Sequence, residues 1–236
     1  MNSADQSNTD QSALTEYLRT FLTAERQAKI EAVLAQRTRY VTVVLEDVYL
    51  TQNASAVLRN CDSFGVQDVH IVENQAGFKI NRDVTRGCNK WLTLHRYAEQ
   101  QGNTAACLQR LKQQGYRLVA TTPHTEALYL PELPLDRPLA LLFGGEQAGL
   151  STAALTQADL QLRIPMYGFS ESFNLSVSVA LCLQSLCDRI RPSQLPWPLT
   201  TAEKSQLRLA WYRKSFPASD RLDKLEKRFW QQRAAG

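Results

Sequence analysis

The sequence predicts an α/β protein: a parallel sheet flanked by helices, with a helical extension at each terminus. Three observations carry that prediction. Between Tyr40 and Arg191, short apolar or β-branched runs alternate with helical patterns across short connections, the order that builds a parallel sheet covered on both faces. Tyr40–Leu45 is apolar almost throughout, as in a strand buried on both sides. Leu14, Tyr17, Leu18, Phe21 and Leu22 recur at i, i+3, i+4, i+7 and i+8, an amphipathic helix lying ahead of the sheet.

Residues 1–13 are polar and low in hydrophobicity, a composition that predicts disorder. The Leu14–Leu22 helix follows, then a second helix that Thr23 can cap, carrying Ile30, Val33 and Leu34. After the first strand, Asn53–Ser63 is a helix with Gly65 just past its end. Asp68–Val72 is a strand. Residues 74–90 read as a long polar loop bearing Lys79, Arg82, Arg86 and Lys90. Trp91–His95 is a short strand, Asn103–Gln114 a helix stopped by Gly115, and Tyr116–Thr121 and Leu139–Phe143 are strands. Ser151–Ala158 is a helix and Leu160–Ile164 a strand.

Pro165 and Gly168 then force a bend. Ser170 or Ser172 can cap the apolar helix that starts at Leu175. The Pro-rich stretch after Arg191 is a stiff linker. Thr200 and Glu203 have the spacing of a capping box ahead of a basic segment with Trp211, Tyr212, Phe216 and Trp230 among its cations. The domains expected are therefore a helical arm over 1–38, a body over 39–192 and a basic helical extension over 193–236.

Composition excludes several classes. The chain of 236 residues is 44% apolar and 21% charged, ordinary for a globular protein. No apolar run reaches the length of a membrane span, and the polar, acidic start is not a signal peptide. Five cysteines without a C-x-x-C pair read as reduced thiols of a cytoplasmic protein, neither a disulfide framework nor a zinc site. The three scattered histidines suggest no metal centre. Net charge is +4, but residues 193–236 carry nine Lys/Arg against four Asp/Glu. A near-neutral body with a basic tail suits a polyanion, nucleic acid first, although a solvated helix face would look the same.

Three bends, each following a strand, carry the candidate chemistry. Asn53 and Arg59 open the helix after the first strand; six apart, they converge only if Asn53 caps that helix and its side chain reaches back. An arginine at the carboxyl edge of a parallel sheet can grip a phosphate through two hydrogen bonds. Phe143-Gly-Gly-Glu-Gln-Ala-Gly-Leu-Ser151 brings glycines to a strand end, letting backbone approach a ligand. Its spacing is neither G-x-G-x-x-G nor a Walker loop. Ile164–Val177 is the third bend, where a plain loop into a core helix would be the bland alternative. Together they form one crevice at the strands' carboxyl ends. It offers backbone amides, Asn53, Arg59, Glu146, Ser172 and Asn174 but no nucleophile–base set and no metal cluster. That inventory suits an adenosine-bearing cofactor that brings the chemistry with it.

In order and spacing, these blocks resemble the SpoU/TrmH branch of the SPOUT superfamily of tRNA ribose 2′-O-methyltransferases. Asn53 through Arg59 matches its Asn-x5-Arg motif, Phe143–Ser151 its Phe-Gly-x-Glu-x-x-Gly-Leu-Ser motif, and Ile164–Val177 its Ile-Pro-Met-x-Gly-x-x-x-Ser-x-Asn-x-Ser-Val motif, with Lys90-Trp91 at its Lys-Trp pair. The likeness covers roughly residues 39–190.

The resemblance implies a deep trefoil knot in the C-terminal part of the α/β domain and an active site completed in a homodimer. It implies S-adenosylmethionine held by Thr121, Gly144, Gly145, Ile164, Met166 and Phe173, largely through backbone. Arg59 would be the catalytic arginine, helped by Asn53, Glu146, Ser172 and Asn174, with no metal. Arg86 and Lys90 would meet RNA, and in the basic tail Arg213 and Lys214 are further candidates. Gly145, often a residue with a side chain in relatives, and Phe173, often Leu, depart from the pattern. A guanidinium hardly deprotonates, so Arg59 is expected to anchor phosphate and steady developing charge rather than to act as the base. The expected substrate is tRNA, at guanosine 18 of the D-loop. The alternatives are ribosomal RNA, another tRNA position such as the wobble site, or a catalytically silent RNA-binding protein.

Overall fold

The structure is a computed structural model describing residues 3–75, 77–99, 101–123, 127–216 and 219–234, with side chains from residue 9 onward. In chain order the elements are α1 (Ser3–Arg19), α2 (Ala24–Ala35), β1 (Val41–Glu46), α3 (Thr51–Ser63), β2 (Asp68–Val72), α4 (Arg82–Thr85), β3 (Thr93–Tyr97), α5 (Asn103–Gln113) and β4 (Arg117–Thr121). There follow β5 (Leu128–Tyr129), β6 (Leu139–Gly144), α6 (Thr152–Gln157), β7 (Leu160–Arg163), α7 (Leu175–Ile190), α8 (Thr201–Arg213) and α9 (Ser219–Ala234). They form two units: residues 38–197, which hold the sheet, and a helical unit built from residues 1–37 with 198–236.

The sheet has seven parallel strands in the order β3-β2-β1-β6-β4-β7-β5. Its centre, β1, β6 and β4, is made of Val, Leu and Ala runs that are buried almost throughout, as strands covered on both faces require. One face packs Val57, Leu58 and Cys61 of α3 and Val179, Leu183 and Leu186 of α7 into the main core. The other packs Cys107, Leu108 and Leu111 of α5 with Ala154 of α6. Burial pushes the thiols of Cys107 and Cys182 up to about 12, so both stay protonated and inert. α3 ends in a Schellman motif: Gly65, at φ +77°, donates to the Asp62 carbonyl, and Val66 N–H to that of Cys61.

Several elements depart from the sequence reading. Helix α1 starts at Ser3, where residues 3–13 were expected to lack order; residues 1 and 2 lie outside the described part. The stretch holds no Gly or Pro, so a helix nucleated at buried Leu14 and Leu18 propagates backward at little cost. The 74–90 loop contains α4, which Asn81 caps, and a 3-10 turn at Cys88–Trp91. That turn displaces the next strand to Thr93. β5 went unseen, because a two-residue edge strand has no periodicity to read. The Pro-rich stretch does not hang free: Leu195 and Trp197 pack on the main core, and the Trp197 carbonyl accepts from Thr38 Oγ1 at 2.6 Å.

In the helical unit, α8 packs on α1 and α2, and α9 packs on α1. Trp211 and Tyr212 are buried there, with the Arg37 guanidinium 5.2 Å from the Trp211 ring centre. Thr200 and Glu203 form the expected capping box. Arg208 grips Glu31 with two hydrogen bonds of 2.5 and 2.7 Å.

Candidate active site

The sheet order brings the three bends together. β1, β6, β4 and β7 are neighbours, and all run the same way, so their carboxyl ends lie side by side. Those ends are Glu46, Gly144, Thr121 and Arg163. Residues scattered over more than a hundred positions thus share one edge, the place where open α/β sheets bind ligands.

Two hydrogen bonds join the three bends. Asn53 Nδ2 donates to Glu146 Oε1 at 2.8 Å, and Asn174 Nδ2 donates to Asn53 Oδ1 at 3.0 Å. The chain Asn174–Asn53–Glu146 takes one residue from each motif. Asn53 does not cap α3, so the condition under which it would converge with Arg59 is not met. Leu50 holds the cap position without a side-chain bond, and Asn53 is the third helical residue. Its amide is turned to Glu146 and Asn174 rather than back over the helix end. Arg59 does not join this network. It is exposed, and among the described residues its guanidinium has no hydrogen-bond or ion-pair partner.

Asn174 has a second task. Its Oδ1 accepts from Ser176 N at 2.9 Å and Ser176 Oγ at 2.7 Å, which makes it the N-cap of α7. The cap is therefore Asn174, not Ser170 or Ser172. Asparagine suits this position as well as serine does, and here it lies immediately before Leu175. Ser172 is exposed and forms no part of the Asn174–Asn53–Glu146 chain. Asn60 Nδ2, donating to the Ser176 carbonyl at 2.7 Å, ties α3 to the start of α7. No motif or spacing signals that bond.

The loop after β6 is folded tightly on itself. A Cβ at Gly144 would stand 2.0 Å from the Gly149 carbonyl carbon, and one at Gly145 would stand 2.4 Å from the Asp47 carbonyl oxygen. Gly149, at φ +67°, donates to the Gly145 carbonyl at 2.9 Å. Only glycine allows these approaches, so Gly145 answers to the protein's own backbone. Inside the loop, Glu146 Oε2 is buried without a partner among the described residues.

Thr121 Oγ1 donates to the Leu142 carbonyl at 2.8 Å, fixing the end of β4 against β6. Ile164 packs on the main core and Met166 is half-buried. Beyond them Tyr167, Phe169 and Phe173 are exposed, the first two almost fully. Nothing lies within 4 Å of a Cβ built at Gly168. The edge thus offers backbone amides, carbonyls and one orphaned carboxylate oxygen, and the bend beyond it exposed aromatic side chains, a set that fits a ligand part sugar or amine and part aromatic ring. No group of three or more His, Cys, Asp or Glu among the described residues could hold a metal ion.

The expected RNA contacts divide. Arg86, left-handed at φ +46°, ends α4 and is exposed. Lys90 is exposed, with Nζ 4.6 Å from the Trp91 ring centre. Arg213 is engaged instead: its Nε donates to Glu226 Oε1 at 2.7 Å. Lys214 is exposed, and desolvation lowers its pKa. Of the two, Lys214 is open to solvent and Arg213 is held by Glu226. On α9 the cations Arg221, Lys224, Lys227 and Arg228 are exposed, whereas Phe229 is buried. Helical phase alone would have found them.

The sequence pattern of the SpoU rRNA methylase family matches residues 40–184, which takes in all three bends. The chain belongs to the SpoU rRNA methylase family. It is 44% identical over 193 residues, 82% of this chain and 87% of the other, to the tRNA (guanosine(18)-2′-O)-methyltransferase of Borreliella burgdorferi. It is 34% identical over 194 residues, 81% and 98% of the two chains, to the enzyme of the same name from Thermus thermophilus. Among solved structures it resembles the A. aeolicus TrmH/SpoU tRNA modifying enzyme, with a TM-score of 0.72 and 27% identity over 82% of this chain and 98% of that one. Among the described residues, no helix of this SpoU family member is long and apolar enough to cross a membrane.

Proposed function

We propose that this SpoU protein methylates the ribose 2′-hydroxyl of guanosine 18 in tRNA, using S-adenosylmethionine. The observation that carries the proposal is the Asn174–Asn53–Glu146 hydrogen-bond chain, which joins all three motifs at one sheet edge, with Arg59 on the same helix as Asn53 and without a partner among the described residues. The names of the relatives choose the nucleotide.

The cofactor supplies a methyl group on a positively charged sulfur. Thr121, Gly144, Gly145, Ile164, Met166 and Phe173 would hold it, with backbone meeting its polar parts and Phe173 packing on adenine. Asn53 and Asn174 hold Glu146 and the bend in one geometry, so that much of the rate comes from alignment. Arg59, without a protein partner among the described residues, grips the phosphate next to the target ribose and steadies charge developing on its oxygen. The hydroxyl proton passes to water or to a phosphate oxygen. Arg86 and Lys90 extend the RNA contact. Ser172 takes its part when RNA and cofactor are bound.

Three further features belong to the same reading. The chain leaves β7, near one edge of the sheet, and returns as α7 to pack on α3 beside β1; that return is consistent with residues 163–180 threading a trefoil knot. Leu50, Val177 and Leu181 join Phe169 and Phe173 among the exposed apolar side chains, and a second copy of the chain would cover them as a homodimer. The inert buried thiols suit a cytoplasmic protein.

Nucleoside mapping of RNA from a strain lacking the gene tests the proposal. It predicts loss of 2′-O-methylguanosine from the tRNA D-loop and its return with the gene. An unchanged tRNA profile with a missing ribosomal 2′-O-methyl group would overturn it.

A further inference from the structure

Glu46 ends β1 and is 2% exposed, yet none of the three sequence motifs contains it. Both of its carboxylate oxygens are engaged by one residue. Ser151 N donates to Oε2 at 2.8 Å and Ser151 Oγ to Oε1 at 2.7 Å. Thr104 Oγ1, from α5, also reaches Oε1, at 2.5 Å.

The backbone of Glu46 is paired in register with Gly144 on the neighbouring strand. Gly144 begins the loop that carries Gly145 and Glu146, and Ser151 ends it. Both ends of the loop are thus fastened to Glu46, one through main chain and one through side chain. The following residue, Asp47, sits at φ +51° and presses its carbonyl against Gly145. Ser151 also caps α6, accepting from Ala154 N at 3.1 Å, so the carboxylate sets the direction in which the chain leaves the loop.

We infer that Glu46 is a positioning residue: its buried carboxylate clamps Ser151 and thereby holds the Gly144–Gly149 turn in the shape that receives the cofactor. A buried carboxylate accepting two side-chain hydroxyls and a backbone amide is fully satisfied and strongly directional. An apolar residue in its place would leave three donors without partners. The inference rests on the cofactor assignment made above for this loop.

Calorimetric titration of the full chain with S-adenosylmethionine, with no RNA present, tests both and separates them. No binding to the unaltered protein would sink the cofactor assignment itself. If the unaltered protein binds, Ser151→Asp decides the inference. It keeps a side-chain cap for α6 but sets a second carboxylate against Glu46, and binding is expected to weaken about tenfold or more. Glu46→Gln should weaken binding in the same direction. Ser151→Thr keeps both hydroxyl bonds and should bind within about twofold of the unaltered protein. Thermal melting of each variant shows that the fold is intact. A folded Ser151→Asp that binds as tightly as the unaltered protein, or a Ser151→Thr that loses as much as Ser151→Asp, would overturn the clamp.

Discussion

Asn174 Nδ2 donates to Asn53 Oδ1 over 3.0 Å although 121 residues separate the two in sequence. The same Asn174 caps α7 through its other amide atom. One side chain therefore holds the site with its nitrogen and the helix with its oxygen, and the two roles can be pulled apart. Asn174→Ala removes both and should cost about 1 kcal/mol of stability along with activity. Asn174→Asp keeps the cap acceptor and loses the donor to Asn53. It should melt like the unaltered protein and lose methyl transfer by at least about tenfold. Melting curves beside single-turnover rates check the pair.

Asn53 bridges Asn174 to Glu146. Asn53→Asp is nearly isosteric, but it replaces the donor to Glu146 with a like charge. Activity should fall by about a hundredfold, with a smaller fall for Glu146→Gln, which keeps an oxygen to accept from Asn53. Equal rates for Asn53→Asp and the unaltered protein would remove the network from the mechanism.

Arg59 has no protein partner among the described residues, so nothing folded depends on its guanidinium. Arg59→Lys should change stability by no more than about 0.5 kcal/mol while activity drops sharply, because an ammonium cannot make the two-pronged phosphate contact. Activity largely restored by lysine, with the pH–rate profile moved toward a lysine pKa, would make Arg59 a base and refute its role as an anchor.

The glycines of the site separate by cause. Gly144→Ala forces a methyl group to 2.0 Å from the Gly149 backbone and should cost about 1–3 kcal/mol as the turn is driven apart. Gly168→Val meets open space and should leave the melting point unchanged. Any loss of cofactor binding in that variant reports the ligand's own contact with the bend.

A buried histidine sets the acid limit of the fold. His70 is 3% exposed, stacks on His95 at 4.5 Å and shares a 3.1 Å hydrogen bond with Tyr97. Burial, with the nearby His95 charge, pushes its pKa down from 6.5 to about 3. The unfolded chain takes up a proton near pH 6.5 and the folded chain does not, so stability is full above pH 6.5 and lost as pH falls toward 3. Between pH 7 and 5 the loss should be on the order of 2 kcal/mol. Asp68 adds a loss at lower pH. Its burial is outweighed by bonds from His95 and Arg39, which hold its pKa below the usual carboxylate value. Urea titrations at several pH values, with His70→Gln flattening the slope between pH 7 and 5, measure the effect.

Much of this was legible in the residues. Alternating apolar runs located β1, β2, β4, β6 and β7, because buried parallel strands must be apolar, and three glycine- or asparagine-bearing bends located the site. What was hidden has a common cause: it depends on which strands become neighbours. Nothing in the sequence says that β6 lies between β1 and β4, and that order alone brings Glu46 to both ends of the Gly144–Ser151 loop. The side-chain partners were hidden for the same reason. Arg213 looked like a free cation until Glu226 came to within 2.7 Å through the helical fold, and Asn53 looked like a helix cap until Glu146 and Asn174 took its amide.

The central claim is methyl transfer to one ribose, and it can be measured directly. Purified protein, S-adenosylmethionine and an unmodified tRNA transcript are combined, and the RNA is digested and mapped by mass spectrometry. The account predicts a single added methyl group on the ribose of guanosine 18, formed at least about tenfold more slowly when Asn174→Asp replaces the unaltered protein. A methyl group at another nucleotide, or none on tRNA while ribosomal RNA becomes methylated, would contradict it.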